Sequence, residues 1–243
     1  MGVQTNSVEQ CLELAIRHVN AGQPGRALLL CQHAVASYPP HAAVQQLVAV
    51  LALNDGQLEV AARSAAKSLE LRPHHAPTLI VAGDIARAQS AFDDALTYHR
   101  LARSLAPDRA DTSLALGLTL HASGNADAAA DCLLHAAALA PTHVDIWFAL
   151  ALARQDGGDL AGAEAALRRV IQLEPNRAEA EVNLAIVLQE AGHAAQALQA
   201  YGRAYRLNND AFGRIALALA SASTGRLWLD LDALRKTLQE LPD

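Results

Sequence analysis

Aromatic side chains are scarce in this chain of 243 residues: two Trp, four Tyr and three Phe, 4% in all. The β-branched and aromatic clusters that strands are built from are sparse. Positive charge is not in surplus either. Nineteen Lys and Arg stand against 25 Asp and Glu, a net charge of −6 with no basic stripe, which argues against a nucleic-acid partner. No apolar run reaches about 18 residues without a charge or a turn signal, so no membrane span or insertion is expected. The opening "MGVQTNSVEQCLELAIRHVN" lacks a basic segment leading into an apolar one, so no signal peptide is expected. Asn6 stands where myristoylation of Gly2 would need Ser or Thr. The three cysteines, Cys11, Cys31 and Cys132, have no metal-site spacing and point to a reduced, cytoplasmic setting. No P-loop, dinucleotide fingerprint, nucleophile elbow or paired-carboxylate arrangement occurs. The chain is therefore expected to be no enzyme and to need no cofactor.

What the chain does have is alanine and leucine. Hydrophobic residues make up 52% of it, and these two dominate them. Both are strong helix formers, so the expected class is all-α. Inside the helical pattern, "LAPTHVD" (139–145) stops an apolar run at a proline and restarts within three residues. "LRPHHAP", "LAPDRAD" and "LEPNRAE" have the same shape. Pro39, Pro73, Pro107, Pro141 and Pro175 are each 34 residues apart, and the next step falls on Asn209. Such a period means a repeated supersecondary module. Six repeats follow: 8–41, 42–75, 76–109, 110–143, 144–177 and 178–211. Position 20 is alanine in all six, and position 8 is alanine or glycine. Position 15 is Gly22, Gly56, Gly124, Gly158 and Gly192, with Ser90 in the third repeat.

Each repeat then reads as a helix, a glycine turn, a second helix and a proline turn. Glycine ends the first helix because it tolerates a left-handed backbone. Proline ends the second because it lacks an N–H and restricts the residue before it. Small residues let helices approach closely. One helix pair cannot bury its own apolar face, so the pairs must stack. Residues 212–243 read as a degenerate seventh pair that caps the stack. Its first helix is expected to end near Gly225, and its second to start at Asp230 or Asp232, either a suitable N-cap. Trp228 is expected to pack beneath that cap.

This pattern resembles the tetratricopeptide repeat family over residues 8–211. The fifth repeat, "VDIWFALALARQDGGDLAGAEAALRRVIQLEPNR", carries the fullest set: Trp147, Leu150, Ala151, Gly158, Ala163 and Pro175. The resemblance implies a right-handed α-solenoid of stacked antiparallel helix pairs, whose concave groove is lined by the first helix of each repeat. Carried over position by position, the groove comprises Leu12, Ile16, Val50, Ile80, Asp84, Arg87, Leu114, Leu118, His121, Phe148, Leu152, Gln155, Val182, Ile186 and Gln189. An apolar floor with one polar edge suits an amphipathic helix or an apolar extended peptide. An apolar strip of that length is unusual without a partner. The expected function is a protein-interaction scaffold whose partner is another protein or a peptide. The alternatives are a regulatory or substrate-recruiting module of an associated or fused enzyme, such as a transferase, and a self-assembly module forming homo-oligomers.

Within the groove, Phe148 reads equally as an anchor and as a packing residue beside Trp147, which is taken as core. Asp84 and Arg87 sit one turn apart and read first as an ion pair. Two groove chemistries of the family are not supported. Capture of acidic C-termini needs Lys and Asn at positions 5 and 9, which are mostly aliphatic here. An asparagine ladder needs Asn at position 6 of successive repeats, and only Asn183 qualifies. His41, His75 and His143 fall in turns at least a repeat apart, with His74 beside His75, and are not expected to hold a metal. Cys11 and Cys31 face each other within the first pair and read as two buried thiols in preference to a disulfide.

Overall fold

A computed structural model describes residues 7–221 and 230–241 of the chain. Gly225 and Trp228, and the expectations attached to them, lie outside the described residues. The described residues form two compact units, Met1–Ser123 and Gly124–Asp243. Their regular structure is helical throughout.

The first helices of the repeats are α1 (Val8–Asn20), α3 (Ala42–Asn54), α5 (Ala76–Ala88) and α7 (Ala110–Ala122) in the first unit. In the second unit they are α9 (Val144–Asp156) and α11 (Ala178–Glu190). The second helices are α2 (Pro24–Ser37), α4 (Leu58–Leu71) and α6 (Phe92–Leu105), then α8 (Ala126–Leu139), α10 (Leu160–Leu173) and α12 (Ala194–Leu207). Helices α13 (Phe212–Ala220) and α14 (Leu231–Glu240) complete the second unit. From α1 to α7, and from α8 to α12, each helix packs on its neighbours in sequence, as in an all-α stack of helix pairs.

The glycine turn has a specific geometry. At the end of α1, the Gly22 N–H donates to the Val19 carbonyl at 2.9 Å and the Gln23 N–H to the His18 carbonyl at 2.8 Å. This double bond pattern satisfies two of the carbonyls a helix end leaves open, and it requires a left-handed residue at Gly22. Gly22, Gly56, Gly124, Gly158 and Gly192 have φ between 69° and 83°. Ser90 occupies the same place in the third repeat with φ 61°. An L-residue there is strained by about 1–2 kcal/mol, partly offset by the lower chain entropy a serine loses on folding. Ser90→Gly should therefore stabilise the first unit by about 0.5–1 kcal/mol, seen as a raised thermal midpoint. An unchanged or lowered midpoint would show that the turn holds serine without strain.

Small residues set the helix spacing. Ala27, Ala61 and Ala95 are fully buried in the first unit, as are Ala129 and Ala163 in the second. Gly83 is a tight place of this kind. A Cβ on it would overlap Nε2 of His99, a ring with no exposed surface. Cys11 and Cys31 are buried thiols, and burial beside Cys11 pushes the Cys31 thiol up to about 11. At neutral pH it stays protonated and inert.

Asp230 is the N-cap of α14. Its carboxylate accepts from the N–H groups of Asp232 and Ala233 at 2.9 and 3.1 Å. Helix α14 lies on α12, with Leu234 and Leu238 buried. Arg206 of α12 donates to the Leu238 and Leu241 carbonyls at 3.3 and 3.0 Å. Trp147 corrects an expectation. It is half-buried and not a core residue, because its indole N–H is committed to the Pro141 carbonyl at 3.0 Å, at the turn that precedes α9. An indole turned into the alanine-lined interior would leave that donor unpaired.

Candidate functional site

Helix α7 shows most clearly how the fold exposes a strip. Thr112, Ser113, Ala115, Leu116, Gly117, Thr119 and Leu120 are buried. What remains half-exposed towards one side is Leu114, Leu118 and His121, spaced by four and three residues and so on one helix face. Helix α5 repeats the arrangement with Ile80, Asp84 and Arg87, and α3 contributes Val50. Helices α3, α5 and α7 touch one another in sequence order, which puts their strips side by side. On α1, Leu12 is half-buried and Ile16 is 46% exposed.

The second unit carries its own strip. Phe148, Leu152 and Gln155 of α9 are half-exposed, as are Ile186 and Gln189 of α11. Val182 is the exception: only 1% of it is exposed, so it belongs to the interior of α11 and lines no open surface.

The polar members are not free to the same degree. Asp84 accepts from Arg87 at 2.8 Å, in a pair that is one-quarter to one-third exposed. Behind it, His99 Nε2 lies 3.8 Å from Asp84 and 3.2 Å from the Ile80 carbonyl, and Nδ1 lies 2.9 Å from the Thr119 hydroxyl. Burial holds the His99 imidazole below its ordinary value, with Asp84 pulling it up and Arg87 pushing it further down. It is thus neutral at pH 7 and adds no charge behind the Asp84–Arg87 pair.

Gln155 donates to Glu190 at 2.9 Å, bridging α9 and α11. Gln189 donates to the Ala218 carbonyl at 3.1 Å and accepts from the Tyr201 hydroxyl at 3.4 Å, which ties α11 to α13 and α12. One group that the sequence reading passed over is Arg177. Its guanidinium stacks 4.5 Å above the Phe148 ring while bonding to Asp145 at 3.0 Å and Glu174 at 3.4 Å. Phe148 is therefore roofed by a cation paired with the carboxylates of Asp145, Glu174 and Glu179. An arginine in the turn that directly precedes α11 was the available signal. Among the described residues, no group of three His, Cys, Asp or Glu side chains comes together to hold a metal. No helix among them is long and apolar enough to cross a membrane.

A tetratricopeptide repeat profile matches residues 75–144 and, overlapping them, 114–178. Residues 75–178 thus carry tetratricopeptide repeats. No curated protein matches it in sequence. Solved tetratricopeptide structures match it in fold. YrrB, described as a tetratricopeptide protein with an unusual peptide-binding site, is 21% identical with a TM-score of 0.64, over 80% of this chain and 98% of YrrB. PilF of Pseudomonas aeruginosa is 18% identical with a TM-score of 0.70, over 83% of this chain and 92% of PilF. MamA is 20% identical with a TM-score of 0.62, over 70% of this chain and 93% of MamA. At these identities the likeness establishes the tetratricopeptide fold, which serves many unrelated partners. The repeats make this chain a protein–protein interaction module.

Proposed function

We propose that this protein is a scaffold without chemistry of its own. It binds an amphipathic helix or an apolar extended peptide of another protein along the strips of its first helices. The observation that carries the reading is the burial pattern of α7. A helix enclosed on every other side leaves Leu114 and Leu118 half-exposed on its one open face. Leu152, four residues on from Phe148, has the same setting in α9. A stripe of aliphatic side chains flanked by His121 or Gln155 offers anchoring pockets to an apolar face and polar ends to its edges. The half-exposed positions are all side chains of rigid helices, so little conformational entropy is lost when they are covered. The buried thiols support a reducing, cytoplasmic setting.

The test is affinity capture from the cells the protein comes from, followed by affinity measurement on the partner so found. Leu118→Glu and Leu152→Glu each place an unpaired carboxylate in the strip. Each should weaken binding about tenfold or more while the helical circular dichroism stays unchanged. Wild-type affinity in both variants would remove the strips from the binding surface.

A further inference from the structure

A second feature of the first unit is independent of the strips and shares none of their residues. Between α2 and α4, over the flank of α3, lies a half-open cavity of about 440 Å³. Its walls are apolar, formed by Val35, Val48 and Val60. That volume is within the range of small-molecule sites. Two polar side chains open into it from an otherwise buried position. Gln45 is 7% exposed and Ser64 9%, and neither the carboxamide nor the hydroxyl has a hydrogen-bond partner among the described residues. A ligand's polar group in the cavity would replace water as their partner.

The rim supplies the sign of the charge. Arg63 lines the cavity and is exposed, with neither a hydrogen bond nor an ion pair among the described residues. Lys67, beside it, is neutralised by Glu70 at 2.5 Å. The one uncompensated charge at the mouth is thus positive. We propose that this cavity is a binding site for a small aliphatic monocarboxylate. The hydrocarbon body lies against Val35, Val48 and Val60, and the carboxylate is held by the Arg63 guanidinium, the Gln45 amide and the Ser64 hydroxyl. Arginine is suited to this because its planar donors match a carboxylate in pairs.

The experiment is an NMR titration of the intact ¹⁵N-labelled chain with octanoate, with octylammonium and the peptide acetyl-Leu-Leu-Glu as parallel arms. Octanoate should give saturable shifts of the Gln45 side-chain amide and of the Val48, Ser64 and Lys67 backbone amides, and octylammonium should not. Arg63→Glu should weaken octanoate about tenfold. Gln45→Leu, which keeps the cavity apolar and the rim charge intact, should weaken it by a smaller factor. Absence of saturable shifts at these groups would overturn the proposal. So would equal binding of octylammonium, or octanoate binding that Arg63→Glu leaves unchanged. Binding of acetyl-Leu-Leu-Glu in place of octanoate would also overturn it and assign the cavity to a protein partner.

Discussion

Arg203→Ala should destabilise the second unit by about 3 kcal/mol. Glu181 of α11 is only 4% exposed, and it is ion-paired with Arg203 Nε at 3.0 Å. The other carboxylate oxygen is buried with no hydrogen bond among the described residues. Removing the guanidinium leaves a buried negative charge uncompensated, which typically costs about 3–5 kcal/mol. Arg203 is 31% exposed, so water reaches part of the site, and the lower end of that range applies. Adding Glu181→Gln to Arg203→Ala should restore most of the loss, because a carboxamide needs no counter-charge. Amide hydrogen exchange in α11 and α12 reads the effect locally, which suits a repeat array that need not unfold in one step. If Arg203→Ala exchanges like wild type, the pair is not what keeps the buried carboxylate in place.

The second large effect is at Gly83. In an open helix, replacing glycine by alanine gains about 1 kcal/mol. Here the sign should reverse. The added Cβ would run into the His99 ring, and the ring is fixed on both nitrogens by Thr119 and the Ile80 carbonyl. Overpacking of this kind costs about 1–3 kcal/mol, so Gly83→Ala should lower the thermal midpoint. Gly83→Ala with His99→Ala should recover most of it. The double variant recreates the pair Ala49 and Ala65, which occupies the same two positions one repeat earlier. A midpoint raised by Gly83→Ala alone would mean that the ring has somewhere else to go.

The same histidine has a pH signature. Its folded-state value lies below the unfolded one, chiefly because it is buried. As pH falls through about 6.5, the unfolded chain takes up the proton first, so stability declines until the folded ring is protonated too. His75 is also held low, by burial and by Arg72 and Arg109. The double variant should therefore flatten the decline without abolishing it.

The parts of this molecule legible in its sequence are those governed by local chemistry. A left-handed turn needs glycine, a helix cannot run through proline, and both recur every 34 residues, so helix order could be read directly. Ser90 shows the limit of that reading. Its backbone takes the glycine geometry because the bonds from Ser90 and Ala91 back to Arg87 and Ala86 fix it, at 2.9 Å each. At the candidate site, helical spacing is enough to say which side chains share a face. It does not say what covers them. The roof of Arg177 over Phe148, the tie from Gln189 to Ala218, and the burial of Val182 depend on neighbours about one repeat away. Trp147 left the core for the same reason, since its partner is a carbonyl in the preceding turn. The cavity beside α3 depends on what Gln45 and Ser64 fail to touch, which no periodicity records.

Site-specific photo-cross-linking gives the most direct test of the central claim, that the partner lies on the first-helix strips. Benzoylphenylalanine would be placed at position 118 or 152 on the strips, and at position 134, where Leu134 is 46% exposed on α8. Irradiation in the native cells should give a discrete adduct with one partner from positions 118 and 152 and none from 134. Adducts of equal strength from position 134, or none from either strip position, would contradict it.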